Sequence, residues 1–400
     1  MRLRDFLKSG HWPTLLSAFF YFDVSFMVWI LIGALANAIV ADLDLSAAEK
    51  GLLVATPILG GALLRLPFGI MTDLWGGRRV GLFALSLTTM PLLFGWLWAD
   101  SFSKLLIVGL FLGVAGASFA VALPLASRWY PPQHQGLALG ITGAGNSGTA
   151  LATFFAPRLA EVYGWHAVFG LALLPITIAF IILVVFARDC ERRTPPIMLK
   201  NYLELLRDPD AWRFCFLYAV TFGGFVGLAS FLNVFLHDQY SLHRVTAGNL
   251  ATLCVLAGSL LRPLGGYLAD RMGGMRLLAI LLSGVTVLTL GVAGLPPLPI
   301  AGTLLVMIMG LLGLGNGAVF QVVPQRFPRQ VGVVTGLVGA IGGLGGFVLP
   351  TVLGGMKSLT SSYAGGFIVF ASAAVLAYVL LRRLQIPVPQ AIPQGAEPTG

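Results

Sequence analysis

From Pro13 to Leu381 the chain alternates between apolar runs of about 20 residues and short polar stretches. A helix rises about 1.5 Å per residue, so a run of that length crosses the roughly 30 Å hydrocarbon core of a bilayer. On that scale the pattern predicts spans near 14–40, 51–72, 79–98, 104–125, 136–157, 166–187, 213–236, 247–268, 277–294, 300–323, 332–355 and 363–383. The expected fold class is an all-α integral membrane protein with twelve transmembrane helices. One long hydrophilic interval, from Ala187 to Arg213, divides them six and six. The predicted organisation is an N-terminal six-helix half (1–187), a cytoplasmic central loop (188–212), a C-terminal six-helix half (213–383) and a disordered cytoplasmic tail (384–400) rich in Pro, Gln and Gly. The first apolar run is too long for the core of a signal peptide, and no A-x-A-like site closes it, so it is expected to stay as the first span.

Composition agrees with this pattern. Charged residues are 10 % of the chain and AVILMFWYC 57 %, whereas soluble domains carry roughly 25 % charge. The net charge of +9 is spread singly or in pairs between apolar runs, which is not the clustered stripe that grips nucleic acid. With the N-terminus inside, Arg2, Arg4, Lys8, Arg78, Arg79, Arg128, the loop cluster, Arg271, Arg276, Arg326, Arg329, Arg382 and Arg383 all fall on the cytoplasmic side. Lys50, Lys104, Arg158, Arg244 and Lys357 fall outside. That imbalance predicts a multi-pass protein of the cytoplasmic (inner) membrane with both termini cytoplasmic. Cys190, Cys215 and Cys254 lack CxxC or CxxH partners and read as packing residues, with neither disulfide nor metal. No cofactor is expected.

The second half repeats the first. Arg65-Leu-Pro-Phe-Gly69-Ile-Met-Thr-Asp73-Leu-Trp-Gly76-Gly77-Arg78-Arg79 aligns with Arg262-Pro-Leu-Gly-Gly266-Tyr-Leu-Ala-Asp270-Arg-Met-Gly273-Gly274-Met-Arg276 at a displacement of 197 positions, which also carries Gly113 onto Gly310, Gly116 onto Gly313 and Pro131 onto Pro328. Two parallel, pseudo-symmetric halves of this kind enclose a substrate path at their interface near the bilayer midplane.

Two of the 25 basic residues, Arg65 and Arg262, fall well inside spans and at equivalent repeat positions. An arginine at a helix centre costs about 2.5–3.5 kcal/mol on insertion scales, so each should face a cavity or a partner. Opposed across one cavity, two guanidiniums repel. A small anion between them relieves the repulsion and accepts forked hydrogen bonds. The competing reading is that each arginine is structural, bonded to backbone carbonyls or snorkelling to the interface. Asp73 and Asp270, with Arg78, Arg79, Arg271 and Arg276, form tight cytoplasmic turns and read as gating groups, about two helical turns from the arginines.

Gly143 to Gly148 spells G-x-G-x-x-G, but no βαβ unit surrounds it, so the dinucleotide reading fails and close helix contact explains most of the glycines. Asn146 and Asn316 place amides in apolar surroundings. They either bond across helices or offer N–H donors to the anion, with Gly145 and Gly315 easing backbone approach. Phe119, Tyr218 and Phe222 are candidate walls, the last two sharing a helix face, or else ordinary core aromatics. Asp23 is the one acid inside a span; it reads either as a proton-coupling carboxylate or as a counter-ion for one arginine.

These motifs resemble the major facilitator superfamily and, within it, the nitrate/nitrite porter family. The resemblance rests on Gly113-Val-Ala-Gly-Ala-Ser-Phe119-Ala, Ala138-Leu-Gly-Ile-Thr-Gly-Ala-Gly-Asn146-Ser-Gly148 and Gly313-Leu-Gly-Asn316-Gly-Ala-Val-Phe-Gln321-Val-Val-Pro-Gln-Arg326-Phe. It implies a major facilitator fold whose anion lies between arginines of spans two and eight, matching Arg65 and Arg262, with aromatic walls matching Phe119, Tyr218 and Phe222. The stretch from Ser9 to Phe26 around Asp23 is similar to assimilatory, proton-coupled members. The implied function is secondary transport of nitrate, with nitrite, by nitrate/proton symport or by nitrate/nitrite exchange. The partners are the small anion, protons and the lipid bilayer, with a monomeric functional unit. A carrier of formate- or oxalate-type anions and a nitrate sensor are the rivals. With no HExxH, no P-loop and only 5 His, an enzyme is not expected.

Overall fold

The computed structural model describes residues 3–190, 205–327 and 331–384. The loop cations Arg192, Arg193 and Lys200, Arg2 and Arg329 of the charge tally, Pro328 of the repeat and the predicted disordered tail beyond Leu384 lie outside the described residues. Within them every regular element is helical. A short helix, Leu3–Lys8, precedes twelve rods. The first six are Trp12–Leu43, Ala47–Trp75, Gly77–Leu97, Phe102–Ser127, the composite Pro132–Gly143 with Gly148–Tyr163, and Trp165–Phe186. The last six are Pro209–Tyr240, Arg244–Met272, Gly274–Ala293, Leu298–Arg326, Val331–Thr360 and Ala364–Arg382.

Eleven rods among the described residues are long and apolar enough to cross a membrane. The fifth differs because a 3-10 turn, Ala144–Ser147, cuts it into pieces of 12 and 16 residues. It also carries Thr142, Asn146, Thr149 and Thr153 in buried positions. These polar positions share the buried face of the rod, while Leu151 and Phe155 on its other side are exposed, so apolar character is demanded on only part of its surface.

Local chemistry sets the rod ends. Ser46 and Glu49 form a reciprocal cap on span two, the Ser46 hydroxyl accepting from the Glu49 amide and the Glu49 carboxylate accepting from the Ser46 amide at 2.9 Å. Asp208 caps span seven by accepting from the Asp210 amide at 2.8 Å, and Pro209 supplies the first helical position. Gly76 and Gly273, 197 apart, close spans two and eight with φ of +91° and +85°, a region that a side chain would strain.

The repeat survives into the packing. A Cβ at Gly51 would stand 2.6 Å from the Pro350 carbonyl oxygen, and one at Gly248 the same 2.6 Å from the Thr153 carbonyl oxygen. These four residues are related in pairs by the 197-residue displacement, so spans two and eleven meet as spans eight and five do. Between the first six and last six rods, the bonds among the described residues are Asn37 to the Asn233 carbonyl (2.8 Å), Lys50 to Asp238 (3.0 Å), Thr153 to Thr252 (2.8 Å), Arg158 to Asn249 (2.6 Å), the Asn233 amide to the Ala34 carbonyl (3.4 Å), His243 to Glu161 (3.3 Å) and Arg65 to the Gly339 carbonyl (2.5 Å). All but the last lie toward the face opposite the termini, where they tie the two sets of rods together.

Candidate functional site

Five rods are interrupted along their length; span six turns at Ala172, and the breaks of spans four, five and seven fall beside residues that sequence reading singled out. Span one breaks at Ile30, between Trp12–Trp29 and Leu31–Leu43. Span four breaks at Ala117, span five at Ala144–Ser147, and span seven passes through a π-turn, Ala219–Gly223, directly after Tyr218. Such interruptions release backbone groups from the helical ladder, and inside a membrane protein they occur where the freed groups meet protein or a cavity.

Arg65 stands beside the breaks of spans one, four and seven, 2 % exposed. Its Nε donates to the Gly116 carbonyl at 3.3 Å, at the break of span four, and its Nη1 donates to the Gly339 carbonyl of span eleven at 2.5 Å. Its Nη2 is buried without a hydrogen-bond partner among the described residues. The guanidinium carbon lies 4.7 Å from the ring centroid of Phe222, 5.2 Å from Phe119 and 5.4 Å from Trp29, within the reach of cation–π attraction. Arg262, 7 % exposed, has its guanidinium carbon 5.7 Å from the same Phe119 ring and a buried Nη1 without a partner. Phe119 therefore stands next to both cations, and neither forms an ion pair with an acid among the described residues. Two buried cations, each with a partnerless N–H donor, flank one aromatic ring, an arrangement whose chemistry suits a small anion.

The walls follow. Tyr218 and Phe222 stack at 4.9 Å and 4° across the π-turn, and Phe222 lies 6.4 Å from Phe119. Asn146 and Asn316 are fully buried, and neither amide has a partner on its oxygen or its nitrogen among the described residues. The hydroxyls of Tyr218, Thr221 and Ser259 share that condition. Buried polar atoms left unbonded are rare in folded proteins, and Tyr218 stands in this aromatic cluster, stacked on Phe222.

Other predicted residues lie elsewhere. Gly145 packs on span one, against Phe22 and the backbone of Phe19 and Asp23, and Gly315 packs on the Thr221 side chain; both serve helix contact here. Asp23 is 8 % exposed and accepts a hydrogen bond from the Ser147 hydroxyl at 2.7 Å, one residue from Asn146. It forms no ion pair with either arginine, so the counter-ion alternative finds no contact to support it.

The six gating candidates divide by repeat. Asp73 pairs with Arg128, the Arg78 amide donates to the Asp189 carboxylate at 2.9 Å, and Arg79 lines a cavity of about 350 Å³ with Asp73, Arg128 and Asp189. Asp270 and Arg276 are exposed, and Arg271 lies over the Tyr267 ring at 4.6 Å.

Sequence reading missed Phe320, which stands 4.8 Å from Tyr218 and 6.0 Å from Phe119. Its place four residues after Asn316, on the same helix face, was the available signal. It also missed Trp29, Gly339 and Gly343; a Cβ at Gly343 would lie 3.6 Å from Arg65 Nη1. Those glycines sit in a long glycine run of span eleven that helix packing alone explains from sequence.

Two repeated six-rod units around buried cations are the build of a membrane transporter. The family model of the Major Facilitator Superfamily matches residues 17–350. The chain is 34 % identical over 359 residues to the "Nitrite extrusion protein" of Bacillus subtilis, covering 89 % of this chain and 90 % of that protein. It is 36 % identical over 362 residues to the "Probable nitrate/nitrite transporter NarK2" of Mycobacterium tuberculosis, covering 88 % and 91 %. Among solved structures it is similar in fold to the human organic anion transporter MFSD10, with a TM-score of 0.72 at 16 % identity, covering 93 % of this chain and 99 % of that one. The chain belongs to the major facilitator superfamily and, within it, to the nitrate/nitrite porters.

Proposed function

We propose that the chain carries nitrate, and nitrite with it, across the cytoplasmic membrane by alternating access. The halves 1–187 and 213–383 rock about a central anion site, and both termini are cytoplasmic. The observation that carries the reading is the pair of buried arginines around Phe119, each with a partnerless N–H donor and neither with an acid. Nitrate is planar, trigonal and monovalent. Guanidinium forks can approach in its plane while the flat rings of Phe119 and Phe222 cover its faces. Tyr218, Asn146 and Asn316 complete the donors. Closure of the face opposite the termini corresponds to the inward-facing half of the cycle, and Asp73 with Arg128 belongs to the cytoplasmic gate that the opposite half uses.

Import against a negative-inside potential needs a driving ion. Proton symport through Asp23 is the coupling supported here, because that carboxylate is bonded to Ser147, beside Asn146. The test is nitrate uptake in proteoliposomes under an imposed pH gradient, with and without internal nitrite, for wild type and Asp23→Asn. Proton-driven uptake that the variant loses is expected. Uptake that ignores the gradient and demands internal nitrite overturns symport in favour of exchange; no nitrate uptake under either condition overturns the substrate.

A further inference from the structure

We propose that Trp29 is a positioning residue that acts through Arg65, its indole setting the depth and plane of the guanidinium. The inference deepens the anion-site reading above and rests on it for its transport readout.

Trp29 is fully buried at the last turn before the break of span one. Its Nε1 donates to the Pro57 carbonyl of span two at 2.6 Å, which fixes how far the indole enters the bundle. The two positions facing it are glycines. A Cβ at Gly61 would stand 2.8 Å from the indole nitrogen, and one at Gly116 would also run into the ring. Gly61 lies one helical turn before Arg65, and Gly116 supplies the carbonyl that accepts from Arg65 Nε. The indole is thus wedged between the turn of span two that precedes Arg65 and the glycine whose carbonyl accepts from Arg65 Nε, and it presents its face to the cation at 5.4 Å. Tryptophan is the strongest cation–π partner among the side chains.

The other half provides an internal control. The repeat counterpart of Trp29 is Val226, and the counterpart of Gly61 is Gly258. Gly258 is met by Phe225, one of whose ring carbons would stand 2.5 Å from a Cβ there. That ring fills the same space without an N–H, and it is not among the rings found over Arg262. Phe225 is the smaller ring and meets Gly258 but not Gly313, the counterpart of Gly116, so the two halves differ in their hold on the neighbouring arginine.

The test compares the full-length wild type with Trp29→Phe, Trp29→Leu and Phe225→Leu in two measurements. In nitrate uptake by proteoliposomes, Trp29→Leu is expected to raise KM about tenfold with kcat within about twofold. Trp29→Phe should give a smaller rise and Phe225→Leu none. In solvent exchange of nitrogen-15-labelled arginine side chains, the Arg65 Nε–H should exchange about tenfold faster in Trp29→Leu and at the wild-type rate in Phe225→Leu. Unchanged KM and unchanged exchange in Trp29→Leu overturn the proposal, as do equal effects of Phe225→Leu. If wild type accumulates no nitrate, the substrate reading falls and the Nε–H exchange alone decides the wedge. If Trp29→Leu does not fold, Trp29→Phe is scored by the same two measurements.

Discussion

Arg65 and Arg262 are one position written twice, yet the protein holds them differently. Arg65 donates to two carbonyls and lies within 5.4 Å of three rings; Arg262 lies near one, at 5.7 Å, among the cation–ring contacts of the described residues. A side chain already fixed in its working geometry loses little entropy when it engages an anion. Under the proposed anion-site reading, Arg65 is the preorganised member of the pair and Arg262 keeps more freedom to lose. The turns that follow spans two and eight show the same inequality: Asp73 is bonded to Arg128, while Asp270 is exposed. A duplicated sequence therefore guarantees equivalent backbone positions and nothing more, because the neighbours that fix a side chain come from other spans.

The largest test of this comparison is at the arginines. Lysine keeps the charge and loses the planar fork. Arg65→Lys is expected to lower nitrate kcat/KM by about 100-fold, since two placed carbonyl bonds and three ring contacts go with the fork. Arg262→Lys should cost about tenfold. Both are read from uptake kinetics, and equal losses would mean that preorganisation does not separate the pair. At the turns, Asp73→Asn should destabilise by about 1–3 kcal/mol by breaking a partly buried pair. Asp270→Asn should stay within about 0.5 kcal/mol. Thermal unfolding in detergent of both variants checks this.

The smallest effect is expected at His11, which caps span one by accepting from the Thr14 amide at 3.3 Å. Burial, with the Arg188 charge beside it, holds the imidazole below its ordinary range. A base whose folded pKa is depressed gives stability that is present above the unfolded value, about 6.5, and lost as pH falls through the folded one. Acidification should therefore lower the Tm of wild type, and His11→Asn, which keeps a cap acceptor that does not titrate, should show a shallower acid loss. The repeat partner of His11 is Asp208, which caps span seven with a carboxylate in place of an imidazole.

Much of the architecture was legible in the chain. The spans follow from run length, because a helix must hide its backbone from lipid over a fixed thickness. The repeat and the two stranded arginines follow from aligned residues. Phe320 was one helical turn from a residue already chosen and needed only the period of the helix to be found.

Features set by neighbours within a turn or two could be read along the chain: rod count, the glycine turns at 76 and 273, and the cost of burying Arg65 and Arg262. Tertiary structure decided which carbonyls, rings and hydroxyls came to meet them. Gly116 is released by a break in its own helix, Gly339 arrives from 274 positions away, and Asp23 finds Ser147 rather than an arginine. Helical periodicity fixes which residues share a face, while the partner of that face is chosen by how twelve rods pack together. That choice is cooperative, and no single stretch of chain contains it.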